Sequence, residues 1–310
     1  MRQSCASSSS CHQRGAALLV FMLVFFLVAT SWILSPSGSI NSRIRADKVT
    51  ATALAHAKEA LIGRAAADNN RPGSLPCPDT DDDGKADGDF GYCSASVGRL
   101  PWATLDLPDP RDGDGNRLWY ALADELRDNE DAYAINPSLS LGLSVDGIQN
   151  IAAIVFSSGP PLTGQNSRPS NDVADYLDGP NKTGGPYISG PSSTSFNDKL
   201  LAISREQLFN VVNRRIIGLL RIRLNKYYND EANNYSYPEV NSDLKTALTP
   251  YFDILNIDDV KAKKLLEDND WYSVTNHVPE TNRKKTTLSI STPPTISCAI
   301  TPTQMSCTYP

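Results

Sequence analysis

Residues 16–34 read AALLVFMLVFFLVATSWIL, nineteen positions without a charged side chain. At about 1.5 Å per residue, a helix of this length reaches across a hydrocarbon layer of roughly 30 Å, so the run predicts a transmembrane helix. Arg2 and Arg14 precede it, and the next charge is Arg43. That bias puts the short N-terminal side in the cytoplasm and the long C-terminal part outside.

After the apolar run, Ser35-Pro36-Ser37-Gly38-Ser39 combines a missing amide with a permissive glycine and predicts a helix break. Helical spacing resumes over 40–67, with Ile40, Ile44, Ala51, Leu54, Ala55, Leu61, Ile62 and Ala65 roughly on one face. This face is expected to pack on an exterior domain formed by residues 68–310. In that domain the Leu118, Leu122, Leu126 spacing predicts a helix over 117–128, and IAAIVF (151–156) a buried strand. Residues 158–198 are dense in Gly, Pro, Ser and Asn and predict an extended loop region, a candidate exposed functional surface. A core helix over 204–229 opens with the capping pattern Ser204-x-x-Gln207. Shorter helices are expected near 243–255 and 258–268, a strand near 286–290, and a hairpin at the C-terminus. Helices with few antiparallel strands predict an α+β, loop-rich domain packed on a long N-terminal helix.

The junction HQRG/AALLVF joins a short basic, polar leader ending in Gly15 to the apolar run beginning at Ala16. It resembles the prepilin leader of type IV pilins and type II secretion pseudopilins. The resemblance implies that a prepilin peptidase cuts between Gly15 and Ala16 and methylates the new N-terminus. It further implies an organisation of leader (1–15), transmembrane helix (16–34), amphipathic continuation (35–67) and periplasmic globular domain (68–310). The protein would be a single-pass inner-membrane subunit able to enter a periplasmic or extracellular filament, with other pilin or pseudopilin subunits as partners. The fifth mature residue, usually Glu in that family, is here Val20. A minor subunit fits that departure better than a repeating major one, because nothing at Val20 neutralises the terminal amine. Segments around 55–84, 98–122 and 196–215 also resemble a group of large bacterial prepilin-like proteins. An alternative, an ordinary secretory signal cut near Ala29-Thr30-Ser31, stays open.

Six cysteines are present. Cys5 and Cys11 precede the apolar run; the other four lie on the exterior side, where pairing is the default. Proximity suggests Cys77 with Cys93 and Cys298 with Cys307. A hairpin centred between Pro302 and Thr303 places Cys298 directly opposite Cys307.

Inside the first pair lies PCPDTDDDGKADGDFGYC. Asp79, Asp81 and Asp83 alternate ahead of Gly84, like the opening of an EF-hand calcium loop, with Lys85 offering its carbonyl and Asp87 at the ninth position. The twelfth position is Phe90, so the bidentate Glu is missing. The expectation is a structural calcium site; the alternative is a solvated acidic turn. A second stretch, Asp109-Pro110-Arg111-Asp112-Gly113-Asp114-Gly115-Asn116, has similar residue types and reads as a tight turn.

A formal net charge of −6 disfavours binding to nucleic acid through phosphate neutralisation. Three histidines, far apart, leave little material for a His-based triad or zinc centre. Nucleotide-binding, hydrolase and metalloprotease motifs are missing, and no catalytic residue is expected. The expected role is a structural and interaction subunit. Alternatives are a filament-borne adhesin using the 158–198 loops and, less favoured, a membrane-anchored periplasmic enzyme.

Overall fold

The computed structural model describes residues 13–89, 92–128, 134–165, 167–240 and 243–309, with the side chains of residues 13–17, 31–40 and 89 outside that description. The chain divides into two compact units at Val49/Thr50. Cys5, Cys11 and most of the expected leader fall outside the described residues.

Helix α1 (Gln13–Ala67) runs through both units, and the break expected at 35–39 does not occur. Pro36 removes one intrahelical donor, a loss that a long helix can absorb by bending rather than ending. In the first unit the side chains from Leu18 to Val28 are all exposed. Among the described residues no helix is long and apolar enough to cross a membrane, so the membrane anchor expected at 16–34 draws no support from the fold. In the second unit α1 buries Ala53, Leu54, Ala57, Leu61, Ile62 and Ala65. Ile44, Ala51 and Ala55, expected on the packed face, are exposed instead.

The second unit is α+β. Strands β1 (Gly88–Asp89) and β2 (Tyr92–Cys93) form a small ladder. A five-stranded antiparallel sheet follows, built from β3 (Val97–Arg99), β4 (Trp119–Leu122), β5 (Leu143–Val145), β6 (Ile148–Ser157) and β7 (Lys199–Ser204), in which β6 pairs β4 and β5 along one edge and β7 along the other. Helix α2 (Arg205–Asn229) leaves β7 directly, its first turn closed by the reciprocal Ser204–Gln207 capping box. It packs against strands of this sheet and of a second, four-stranded one. Between them lie α3 (Leu244–Leu248), α4 (Ile257–Asp268) and α5 (Trp271–Val274). The second sheet is a meander of β8 (Thr275–Pro279), β9 (Thr286–Ile290), β10 (Ile296–Ile300) and β11 (Met305–Thr308).

Two expectations for the domain change. Residues 117–128 form strand β4 and a single 3-10 turn at Asp124–Leu126 rather than a helix. All four residues of β4 are buried, because both faces of the five-stranded sheet are covered. Tyr120 and Leu122 join the core shared with α1 and α2, while Trp119 and Ala121 join a second cluster with Ile154, Phe156, Tyr176, Leu177 and Tyr187. That cluster corrects the picture of 158–198. The segment has little regular structure, yet it lays Tyr176, Leu177 and Tyr187 onto the far side of the sheet as its cover. The helix expected over 243–255 is reduced to α3 and a 3-10 turn at Thr249–Tyr251, with Pro250 at the junction.

Both expected disulfides form, Cys77–Cys93 and Cys298–Cys307. The second sits in the register read from the sequence, Cys298 facing Cys307 across β10 and β11.

Candidate metal centre

The acidic loop hangs between the Cys77–Cys93 disulfide and strand β3. Its entry is tied to the sheet by a reciprocal backbone pair, Asp79 N–H to the Arg99 carbonyl at 3.0 Å and Arg99 N–H to the Asp79 carbonyl at 2.6 Å. Asp79 is fully buried, and its carboxylate organises the turn. Oδ1 accepts the Asp82 N–H at 2.6 Å and Oδ2 accepts the Gly84 N–H at 2.7 Å. Asp82 and Gly84 both take positive φ, 68° and 87°, which an Asp adopts at some cost and a Gly freely. At position 84 glycine is also required by space, since a Cβ there would stand 2.4 Å from the Trp102 ring.

This turn gathers carboxylate oxygens of Asp79, Asp81 and Asp87 within 4.8 Å of one another. Asp87 is held from the far end of the loop, its Oδ2 accepting the Thr80 N–H at 2.6 Å and the Thr80 hydroxyl at 2.5 Å. Burial raises the pKa of the Asp79 carboxyl despite its two backbone hydrogen bonds, and the charges of Asp87 and Asp82 push the same way. The Thr80 hydroxyl, outweighing partial burial, holds Asp87 below its ordinary value. A divalent cation between these carboxylates would offset the repulsion that Asp87 and Asp82 add to the burial of Asp79.

The other residues of the expected set face elsewhere. Asp83 accepts the Lys85 N–H at 2.7 Å and pairs with the Lys85 ammonium at 3.5 Å, both side chains being largely in solvent. Asp82, which the alternating pattern leaves out, turns to Arg117, whose Nη1 lies 2.9 Å from Asp82 Oδ1. Residues 109–116 form the expected tight turn. Buried Asp112 accepts the N–H groups of Asp114 and Asn116 at 3.0 and 2.8 Å and the Ser157 hydroxyl at 2.8 Å. It leads into strand β4 rather than into a helix.

No protein-family model, curated protein or solved structure matches the chain.

Proposed function

We propose that this chain is a minor pilin-like or pseudopilin-like subunit, a structural and interaction component of a type IV pilus or type II secretion filament. Residues 16–34 hold it in the inner membrane and residues 68–310 lie in the periplasm. The observation that carries the reading is the sequence junction of a basic leader ending in Gly15 with the apolar run from Ala16; in the first part of α1 every side chain from Leu18 to Val28 is exposed. Leaving a Leu, Val or Phe in water forgoes about 1.5–3 kcal/mol per side chain. Such a helix calls for lipid or for the apolar helices of other subunits, and a filament subunit meets both in turn. Two closed disulfides suit an oxidising compartment.

Gly15, at the junction of the basic leader and the apolar run, motivates the first test. N-terminal mass spectrometry of the protein from its native envelope should find Ala16 as the first residue, methylated, and the uncut chain in cells lacking a prepilin peptidase. A start near Trp32 would mean an ordinary signal peptide and end the filament reading.

In this reading calcium is a structural ion that orders the loop through Asp79, Asp81 and Asp87. A loop without the twelfth-position Glu falls in the 10⁻⁴–10⁻³ M affinity class of extracellular modules, roughly. At ten times Kd the folded state gains about 1.4 kcal/mol. Melting curves in EDTA and in millimolar calcium should show this shift for the unaltered protein, most of it retained in Asp83→Asn and lost in Asp81→Asn. A melting point indifferent to calcium would leave the loop an acidic turn.

A further inference from the structure

Beside the acidic loop, at the start of β4, lies a cavity of about 570 Å³. Its wall carries Arg99, Arg111, Arg117 and Asp82, with the Tyr176 ring and Asn171 supplied by the 158–198 segment. Three guanidinium groups thus meet in one hollow of a chain whose net charge is −6.

Their neutralisation is incomplete. Asp109 pairs with Arg111 at 2.7 Å and with Arg117 at 3.0 Å, and Asp82 pairs with Arg117 at 2.9 Å. Arg99 is left over. It is 4% exposed, its guanidinium carbon 4.1 Å from the ring centres of both Trp119 and Tyr176. It donates to two neutral acceptors, the carbonyls of Arg117 at 3.4 Å and Ser170 at 3.0 Å. Asp82 Oδ1 pairs with Nε at 3.8 Å, beyond hydrogen-bonding distance, and among the described residues Nε has no hydrogen-bond partner. Taking a cation out of water is costly unless a counter-charge and hydrogen bonds replace the solvent, and two ring faces supply only part of that.

We propose that this cavity binds a small ligand through an oxyanion group, a carboxylate or a phosphate. Arg99 is the fixed positive pole, and Arg111 and Arg117, which line the same cavity, close around the same group. The planar guanidinium fork matches both oxyanions, and the volume is that of a sugar-sized to drug-sized ligand. Two rings and two carbonyls already set the orientation of Arg99, so little side-chain freedom is lost on binding. This inference does not depend on the filament reading.

The test is titration calorimetry on the full chain in detergent at constant ionic strength. Inorganic phosphate, galacturonate and uncharged galactose are the ligands, with quenching of tryptophan fluorescence as a second readout of events beside Trp119. Saturable binding of phosphate or galacturonate, with none of galactose, is expected, and the acid that binds identifies the source of the oxyanion. Arg111→Gln, at the cavity rim, should weaken binding about tenfold or more, the loss of one charge-assisted contact. Lys261→Gln, on a remote exposed surface, should leave binding unchanged, with circular dichroism confirming that both variants fold. Equal binding of galactose, binding of neither acid, or equal weakening by both substitutions would overturn the proposal.

Discussion

Replacing Asp259 with alanine is expected to lower the unfolding free energy at pH 7 by about 3–5 kcal/mol, the cost of stranding a buried cation. Asp259 stands in the first turn of α4 and Arg223 near the end of α2, their Oδ1 and Nη2 atoms 2.6 Å apart with Arg223 only 4% exposed at its side chain. Asp259 Oδ2 also accepts the Lys226 ammonium at 2.8 Å and the Asp253 N–H at 3.0 Å. Burial opposes ionisation of Asp259, but the Asp253 N–H, Lys226 and Arg223 outweigh it and hold the carboxyl below its ordinary value. Its contribution is therefore complete above the usual carboxylate range and lost as pH falls through the depressed value. Without the carboxylate, Arg223 is left against the Phe252 ring, 4.7 Å from its guanidinium carbon. The double variant Arg223→Met/Asp259→Leu should recover most of the loss, because it removes both charges from the interior. Urea unfolding followed by circular dichroism measures both. A loss under 1 kcal/mol for the single variant would show that α2 and α4 are not coupled through this pair.

The second large effect concerns the cover over the far face of the five-stranded sheet. Asp198 is 3% exposed, and its Oδ2 accepts the Asp178 N–H at 2.8 Å and the Asn181 amide at 2.9 Å. Oδ1 has no partner. Burial is the main cause that pushes its pKa from 3.8 to about 7, with the Asp178 charge adding to it and the two N–H bonds and Arg168 opposing. Since the folded value is the higher, the stability tied to this group is complete below about 3.8 and is lost as pH rises through about 7. At pH 8 the penalty has an upper limit of about 4 kcal/mol, from ~1.4 kcal/mol per pH unit between the two values. Asp198→Asn keeps an amide oxygen for the same two donors and cannot ionise. It should be more stable than the unaltered protein at pH 8, with the gap closing toward pH 4. His277, whose pKa burial depresses to about 4, destabilises in the opposite direction as pH falls, and it cancels when the two proteins are compared at each pH. Parallel pH profiles would rule out ionisation of Asp198 as the cause.

Both predictions rest on partners that local sequence does not announce. Arg223 and Asp259 lie 36 positions apart, and Asp198 meets Asp178 and Asn181 at separations of 20 and 17. The acidic loop shows the same limit. The alternating aspartates mark a turn rich in hard oxygen ligands, but which of Asp81, Asp82 and Asp83 faces inward depends on the positive φ of Asp82 and on Arg117, which lies 35 positions downstream and donates to the Asp82 carbonyl at 2.6 Å. Asp82 is drawn outward toward Arg117, and Asp87 rather than Asp83 completes the cluster.

What the sequence determined by itself is local or follows a symmetry of short range. The Ser204–Gln207 cap and an apolar spacing fit only for a helix defined α2, because capping and amphipathicity act within a few residues. The C-terminal hairpin set Cys298 opposite Cys307 because a short turn fixes its own register. Tertiary structure alone decided the rest. WYAL became a strand because both faces of its sheet are covered, which erases the alternation that marks a half-buried strand. A segment composed like a loose loop became the cover of that sheet through three apolar side chains and a buried polar network. Arg99 became a buried cation lying against two rings only when Trp119 and Tyr176, distant in sequence, closed on it. Burial creates the energetic cost of each such group, and burial exists only once the chain has folded.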